Sequence, residues 1–351
     1  MVQIGIEHEF VFKDKNGTYL DFETAKFPVF QQIVDAFPYF ENDDKFFDCK
    51  SLERKPKRCY VEGFERYDRE GKLLETTPKG LEIRTLPHRD IDALVSEFTT
   101  SYRVLMKIAK GFGFSPLLTS LHPFKNSVIF DHPLNQTEVD LRTPEELKIA
   151  VNALLWHGLH VNVSIKGYTE EQMMDLIYKL NYYTPFIIPF SFSSPFYEGK
   201  LFDGLSYRTY KKANKARKAA QLQNRKGNYV IEFRGYDACG DARLLKALIM
   251  LIKGLLLDET LDHRAEKQDP EMLKLSAMKG FEDARIKEQG LKVLKAVKNT
   301  IADSQTVEQL EEMLHKNLSY AATMKQSFLA TGDILESISN RYEYNREPIG
   351  Q

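Results

Sequence analysis

The sequence predicts an α+β fold, in which an antiparallel β-sheet carries helices on one face and polar side chains on the other. The first observation is that apolar and polar residues alternate in four short segments, as in strands whose two faces differ in environment. The second is that helical patterns, with apolar residues three and four positions apart, lie between these strands. The third is that only helical patterns follow residue 240. We therefore expect a catalytic sheet domain over residues 1–240 and a helical region over residues 241–351, packed on the same domain.

The polar face of the predicted sheet carries charges on all four strands. In the first strand, Ile4, Ile6 and His8 point to one face, and Glu7 and Glu9 point to the other. The remaining strands place Glu82 with Arg84, His160 with Asn162 and Ser164, and Glu232 with Arg234. One such strand is typical of a solvated sheet with cross-strand ion pairs. Because an unpaired buried charge is costly, four such strands favour a face that binds cations.

Helices and one hairpin complete the predicted architecture. Helices are expected over 91–112 and 143–159, from Thr169 onward, and over 241–260, 270–299, 306–325 and 332–342. The segment 60–76 is predicted to form a hairpin that turns at residues 69–72. Glu62 and Glu65 are interpreted as solvated hairpin charges, with metal binding as the alternative.

Composition restricts the class of partner. The chain has 351 residues, 42% of them hydrophobic and 28% charged, and a formal net charge of −1. This balance indicates small-molecule partners and no nucleic acid. The cysteines Cys49, Cys59 and Cys239 form no CxxC motif and no secretory leader precedes the first strand, so we expect a cytoplasmic protein, although a disulfide between Cys49 and Cys59 remains open. The apolar run at 245–257 is too short to span a membrane. A homodimer remains open.

The polar residue types indicate metal-dependent nucleotide chemistry. Carboxylates with one imidazole and no thiolate favour Mg²⁺ or Mn²⁺, and Mg²⁺ commonly binds together with substrate phosphates. We therefore predict a nucleotide as the cofactor, although neither a P-loop nor a dinucleotide-binding motif is present. Cationic side chains would stabilise a transferred phosphoryl group, and Arg84, Arg208 and Arg234 are available for this. The expected cofactor-binding set is Arg84, Asn162, Ser164 and Arg234.

Five motifs together resemble those of the glutamate–cysteine ligase 2 family of carboxylate–amine ligases. They are IGIEHEF at 4–10, GLEIRTLP at 80–87, GLHVNVSI at 158–165, SFSSPFYEGKLFDGLSYR at 191–208 and IEFRGYDA at 231–238. The most specific part is the SSPF and SYR run, which is followed by EFR. The resemblance implies a sheet like that of glutamine synthetase and the guanido kinases. It also implies ATP-dependent phosphorylation of a substrate carboxylate, followed by attack of an amine on the acyl phosphate.

The resemblance also implies individual roles. The positions that match metal ligands are Glu7, Glu9, Glu82, His160 and Glu232, so Glu232 is expected to be catalytic as well. Arg234 matches the catalytic arginine beside the γ-phosphate, and Arg208 matches an arginine near the amino-acid substrate. Glutamate is the expected acid, since its side-chain carboxylate suits the cations and its α-carboxylate suits an arginine.

The chain departs from the family between Arg208 and Glu232, where the interval is shorter than in the family. The segment 211–226 is basic, and it is interpreted as a solvated helix face or as a mobile flap that folds over ATP or over an acidic substrate. The amine acceptor is therefore left open. A guanidino phosphotransferase and a noncatalytic nucleotide or metabolite sensor remain as alternative functions. His157, beside Trp156, is interpreted as a packed core histidine.

Overall fold

The computed structural model describes residues 1–46, 57–213, 218–225, 227–301 and 303–344. Its strands are β1 Val2–Lys13, β2 Tyr19–Leu20, β3 Cys59–Tyr67, β4 Leu73–Arg84, β5 Ser115–Leu117, β6 Leu159–Ile165, β7 Phe196–Tyr197, β8 Lys200–Leu201, β9 Ala220–Arg225 and β10 Asn228–Phe233. Its α-helices are α1 Phe27–Ala36, α2 Ile91–Gly111, α3 Gln136–Asp140, α4 Pro144–Ala153, α5 Glu170–Ile187, α6 Tyr207–Ala213, α7 Ala242–Leu257, α8 Pro270–Lys279, α9 Ala284–Val297, α10 Ser304–Lys316, α11 Tyr320–Thr331 and α12 Ile334–Ile338.

One antiparallel sheet contains all four strands that the polar pattern marks. The strands are ordered β3-β4-β1-β6-β10-β9, and β2 and β5 pair with the far end of β1. The first strand of the chain is therefore central, with β4 on one side and β6 on the other. This confirms the predicted α+β fold and the antiparallel sheet.

The apolar face of the sheet is covered by helices. Ile6 on β1, Ile83 on β4 and Val161 on β6 lie in one buried cluster, to which α2, α5 and α7 also contribute. Leu248 of α7 belongs to the same cluster, so residues before and after position 240 share one core. The division at residue 240 remains a prediction. Within the described part of the chain, no helix combines the length and the apolar character that a membrane crossing requires.

The predicted helices are confirmed in kind but several boundaries were wrong. The 270–299 prediction covers two helices, because Gly280 adopts φ 52° and Asp283 then caps α9. The 306–325 prediction is also two helices, since α10 ends at Asn317 in the left-handed region. The 143–159 helix ends at Ala153. Its last predicted residue is the first residue of β6, so periodicity alone overestimated its length.

The predicted hairpin is part of the main sheet. β3 pairs with β4 through the predicted turn, where Gly71 has φ 81°, and β4 continues to Arg84. The strand thus runs without interruption from the hairpin into the segment with Glu82. The basic segment 211–226 is not a continuous helix face, because residues 220–225 form the edge strand β9, paired with β10. Its residues 214–217 and 226 lie outside the described residues, as does Cys49.

Candidate functional site

Strand pairing brings the predicted polar residues side by side on one face. Glu7 lies opposite Arg84 on one neighbouring strand and opposite His160 on the other. Glu9 lies opposite Glu82. These pairs follow from the antiparallel register, because directly opposed side chains point to the same face. The sequence prediction that the four strands share one polar face is therefore correct.

The first carboxylate cluster contains Glu7, His160 and Glu232, from β1, β6 and β10. One ligand atom from each residue lies within 4.8 Å of the others. The Nδ1 atom of His160 is 3.5 Å from Oε2 of Glu7 and 3.8 Å from Oε1 of Glu232. Two carboxylates and one imidazole are a donor set that suits a hard divalent cation.

The second carboxylate cluster contains Glu9, Glu62 and Glu82, again with ligand atoms within 4.8 Å of one another. Glu62, which the sequence analysis interpreted as a solvated hairpin charge with metal binding as the alternative, is 28% exposed and contributes one of these ligand atoms, so metal binding by Glu62 remains a prediction. Glu65 is different, because it accepts a hydrogen bond of 2.6 Å from Tyr67. The position of Glu62 near Glu9 and Glu82 could have been predicted from the length of β4. This strand carries its hairpin partner β3 to the polar face.

Lys79 is a site residue that the sequence analysis missed. Its ammonium donates hydrogen bonds of 2.6 Å to Oε1 of Glu9, 2.8 Å to the carbonyl of Trp156 and 3.2 Å to that of Ala153. It also lies 3.7 Å from Oε1 of Glu62. The positively charged ammonium of Lys79 therefore lies at the edge of the second cluster.

Arg234 lies at the end of β10, next to the first cluster. Its Nε and Nη2 atoms donate to the two carboxylate oxygens of Glu232, the latter over 2.8 Å. Gln223 on β9 also donates to Glu232. The Arg234 side chain is 26% exposed, whereas that of Glu232 is 2% exposed. A planar guanidinium of this kind suits a phosphate oxygen pair as well as a carboxylate.

Burial makes the Glu82 carboxyl a weaker acid than an ordinary glutamate. Desolvation raises the pKa of the Glu82 carboxyl well above its ordinary value, and the nearby carboxylates of Glu62, Glu7 and Glu9 raise it further. The hydrogen bond that Tyr60 donates to Glu82 acts in the opposite direction. Like charges confined in a buried cluster resist ionisation together, and a bound cation would remove that resistance.

The pKa values of Glu7 and Glu9 are lowered by cationic groups of the chain. Burial acts to raise the pKa of Glu9, but the opposing effects, of which the charge of Lys79 is the largest, bring it to about 2. Burial also opposes ionisation of Glu7, yet the hydrogen bond and charge of His160 lower its pKa overall. Both clusters thus contain a carboxylate that stays ionised at neutral pH.

The predicted cofactor-binding residues differ in their surroundings. Asn162 is buried between Glu232 and Gly5, and its Oδ1 has no hydrogen-bond partner among the described residues. Ser164 follows on the same face of β6 and is half-buried. The Arg84 guanidinium lies over the rings of Tyr60 and Phe46 and donates to a backbone carbonyl. Buried polar atoms without partners often mark ligand positions, so Asn162 has the clearest geometry for one.

Arg208 lies in the interior, close enough to the second cluster for the charge of Glu9 to act on it. It is 2% exposed, and Nη1 is 3.2 Å from Oδ1 of Asp237. Its guanidinium also donates to the carbonyls of Arg234 and Gly235. Asp237 in turn accepts a 2.7 Å hydrogen bond from Ser194. The SSPF, SYR and EFR motifs are therefore joined by one buried network, and contact between Arg208 and a substrate remains a prediction.

His157 is buried, as predicted for a core histidine. It is 2% exposed, and neither ring nitrogen has a hydrogen-bond partner in the part of the chain that the structure describes. Burial lowers its pKa well below the ordinary value, and the nearby charge of Lys79 contributes. It is therefore a neutral imidazole.

Together, the fold and the site define the class: an antiparallel-sheet protein with two candidate cation-binding carboxylate clusters and an adjacent arginine on one face. This chain belongs to glutamate–cysteine ligase family 2, whose family model matches residues 3–216. That range includes β1, β4, β6 and the SYR motif, whereas Glu232 and Arg234 follow it.

A protein of Rhodospirillum rubrum with the provisional name glutamate–cysteine ligase 2 is 36% identical over 106 residues, which are 30% of this chain and 26% of that protein. The structure is similar to a bifunctional glutathione synthetase from Pasteurella multocida, with a TM-score of 0.61 and 12% identity, covering 97% of this chain and 51% of that one. It is also similar to a glutamate–cysteine ligase from Francisella tularensis in complex with AMP, with a TM-score of 0.54 and 13% identity, over 96% of this chain and 87% of that one. This chain thus spans about half of the glutathione synthetase, and these structural likenesses support the fold.

Proposed function

We propose that the chain is an ATP- and Mg²⁺-dependent carboxylate–amine ligase that forms an amide of the γ-glutamyl type. The observation that carries this proposal is the assembly of two carboxylate clusters and Arg234 on one sheet face, in a member of glutamate–cysteine ligase family 2. Phosphoryl transfer depends mainly on positioning and on charge stabilisation, and this face offers both kinds of group.

The carboxylates are the proposed cation ligands. Glu7, His160 and Glu232 would hold one divalent cation, and Glu9, Glu62 and Glu82 would hold another. The donor sets fit Mg²⁺ or Mn²⁺, because they contain oxygen and at most one imidazole nitrogen. Bound cations would supply charge neutralisation for the phosphates of ATP. The unpartnered Oδ1 of Asn162 lies next to Glu232 in register and is proposed to accept a hydrogen bond within the same site.

The proposed reaction has two steps. An oxygen of the substrate carboxylate attacks the γ-phosphorus of ATP, the bond to the leaving ADP breaks, and an acyl phosphate forms. The amine nitrogen then attacks the acyl carbon, loses a proton, and displaces phosphate to leave an amide. Arg234 is proposed to exchange one of its contacts with Glu232 for an oxygen of the transferred phosphoryl group, which would then bear more negative charge.

Glutamate is the proposed acid, and the amine acceptor is not specified. Arg208 is proposed to bind the α-carboxylate; its buried Nε has no hydrogen-bond partner among the described residues, whereas Nη1 is paired with Asp237. Arg84 and Ser164 are proposed to line the nucleotide site on the same face. Lys212 adds a cation there, since its ammonium donates to the carbonyl of Arg234.

The test is ADP and phosphate release by the purified protein with MgATP and one amino acid at a time, in the presence of hydroxylamine. Hydroxylamine converts an acyl phosphate into a hydroxamate whatever the natural amine is. A hydroxamate with one donor would establish the ligase and identify the acid. ADP without phosphate or hydroxamate, together with a phosphorylated product, would favour the phosphotransferase. MgATP binding without turnover for any donor would favour the sensor. The Glu232→Gln variant is the matched control for contaminating ATPase.

A further inference from the structure

Lys79 reaches the polar face because of a β-bulge. Along β4, Leu81 and Ile83 point to the apolar core and Glu82 points to the polar face. Strict alternation would therefore direct Lys79 into the core. The pairing of β3 with β4 shifts register at this point: Glu62 pairs with Gly80 and the next residue pairs with Pro78, so that Lys79 is the extra residue. Bulges turn a side chain toward the other face in this way.

The Lys79 ammonium uses all three of its hydrogen-bond donors within the chain. Its three hydrogen-bond acceptors are Oε1 of Glu9 and the carbonyls of Ala153 and Trp156, and the side chain is 4% exposed. An ammonium group has three donors. Lys79 therefore has no donor left for a substrate, and its effect on the site must act through Glu9.

The positive charge of Lys79 changes the net charge of the second cluster. With all three carboxylates ionised, Glu9, Glu62 and Glu82 carry three negative charges, and Lys79 offsets one of them. The contact uses Oε1 of Glu9 and leaves Oε2 for another ligand. A buried group of like charges is unstable without a counterion, and repulsion from a resident cation weakens the binding of a second one.

We propose that Lys79 is the resident counterion of the second cluster: a positioning residue that holds Glu9 and allows the cluster to fold without a divalent cation. The inference rests on the proposed cation site, but its test does not require ligase activity. Without Lys79, the cluster depends on the divalent ion for stability. The ion should then bind more tightly and stabilise the fold by a larger amount.

The experiment compares wild type, Lys79→Met and Lys179→Met by thermal unfolding in EDTA and in Mn²⁺, and by Mn²⁺ titration with electron paramagnetic resonance. Lys179 is a matched control, because it is also buried and donates to a backbone carbonyl, that of Asp258. We expect Lys79→Met to bind Mn²⁺ about tenfold more tightly than wild type and to show a larger Mn²⁺-induced rise in Tm. Lys179→Met should lower Tm but keep the wild-type response to Mn²⁺.

An unchanged or weaker Mn²⁺ affinity in folded Lys79→Met would overturn the inference while leaving the proposed ligase intact. A wild-type protein that binds no Mn²⁺ would remove the cation site itself, and with it both proposals. If Lys79→Met is unfolded with and without Mn²⁺, the double variant Lys79→Met with Glu9→Gln decides. It removes both charges together, so it should fold in EDTA. Its failure to fold would show that Lys79 is required for its carbonyl contacts and not as a counterion.

Discussion

The guanidinium of Arg234 binds both carboxylate oxygens of Glu232, two residues earlier on the same polar face. This is a bidentate pair between the arginine proposed for phosphate and a carboxylate proposed for a cation. The pair keeps Glu232 in one orientation while neither ligand is bound. It also means that ligand binding must exchange these contacts.

Glu232→Gln tests the carboxylate of this pair. The amide keeps the shape of the side chain but loses the charge that a divalent cation requires, so we expect ADP formation to fall at least about 100-fold. The fold should remain, because Gln223 and the strand pairing of β10 are unaffected. The check is ADP release together with thermal unfolding; wild-type turnover would exclude Glu232 from the site.

Arg234→Lys tests the guanidinium. Lysine keeps the positive charge but cannot make two parallel hydrogen bonds to a phosphoryl group or to Glu232. We expect kcat to fall by about 100-fold, while the Tm changes little because the side chain is 26% exposed. Steady-state kinetics with varied ATP would measure this. A variant with normal kcat and only a raised KM for ATP would assign Arg234 to ground-state binding.

Glu62→Gln tests the second cluster, with Glu65→Gln as its control on the same strand. Loss of one proposed ligand should raise the Mg²⁺ concentration needed for half-maximal activity by about tenfold or more. Glu65 accepts a hydrogen bond from Tyr67 and is outside the cluster, so its substitution should leave this value unchanged. If both variants need the same Mg²⁺ concentration for half-maximal activity, Glu62 is a solvated hairpin charge and not a metal ligand.

The raised pKa of Glu82 predicts how the stability of the metal-free protein depends on pH. Its folded pKa is raised above the ordinary value of 4.5, so the folded state binds the proton more tightly than the unfolded state. This contribution to stability is fully present below pH 4.5 and is lost as the pH rises through the folded pKa. We expect Glu82→Gln to be more stable than wild type at pH 8 in EDTA but not at pH 4. Denaturant unfolding at both pH values measures the difference; equal stability at pH 8 would contradict it.

Disruption of the buried ion pair between Arg208 and Asp237 should lower the free energy of unfolding. Asp237→Asn leaves the buried guanidinium without a counter-charge, so we expect a loss of about 3–5 kcal/mol in the free energy of unfolding. The exposed pair of Arg264 with Asp175 is the control, and Asp175→Asn should cost less than about 1 kcal/mol. Urea unfolding compares them. Similar small losses would indicate that Arg208 is free to leave Asp237 for a substrate.

The polar face was predictable from sequence because alternation along a strand is a local property. Glu7, Glu82, His160 and Glu232 each stand out within a few residues of their own strand, and strand pairing then brought them together. The helix boundaries were less accurate, because single residues in the left-handed region, such as Asn317, interrupt a continuous apolar pattern.

The contributions of Lys79 and Glu62 were not predictable in the same way. Lys79 follows the periodicity of a core position and is redirected by a bulge, which depends on the pairing partner β3. Glu62 lies on a hairpin whose position over the sheet depends on the continuity of β4 through Pro78 and Gly80. Arg208 was singled out by its motif, but its pairing with Asp237 depends on packing between distant segments.

The central position of β1 determines when the site can form during synthesis. Both neighbours of the first strand are made later, and the last ligand of the first cluster, Glu232, follows Glu7 by more than two hundred residues. Non-local pairing of this kind folds slowly, and an unpaired apolar strand is prone to aggregation. The growing chain on the ribosome must therefore keep β1 from premature association until β6 has emerged, and the site is complete only when β10 follows. Recombinant yield should respond to chaperone supply and growth temperature more than to changes in the surface helices.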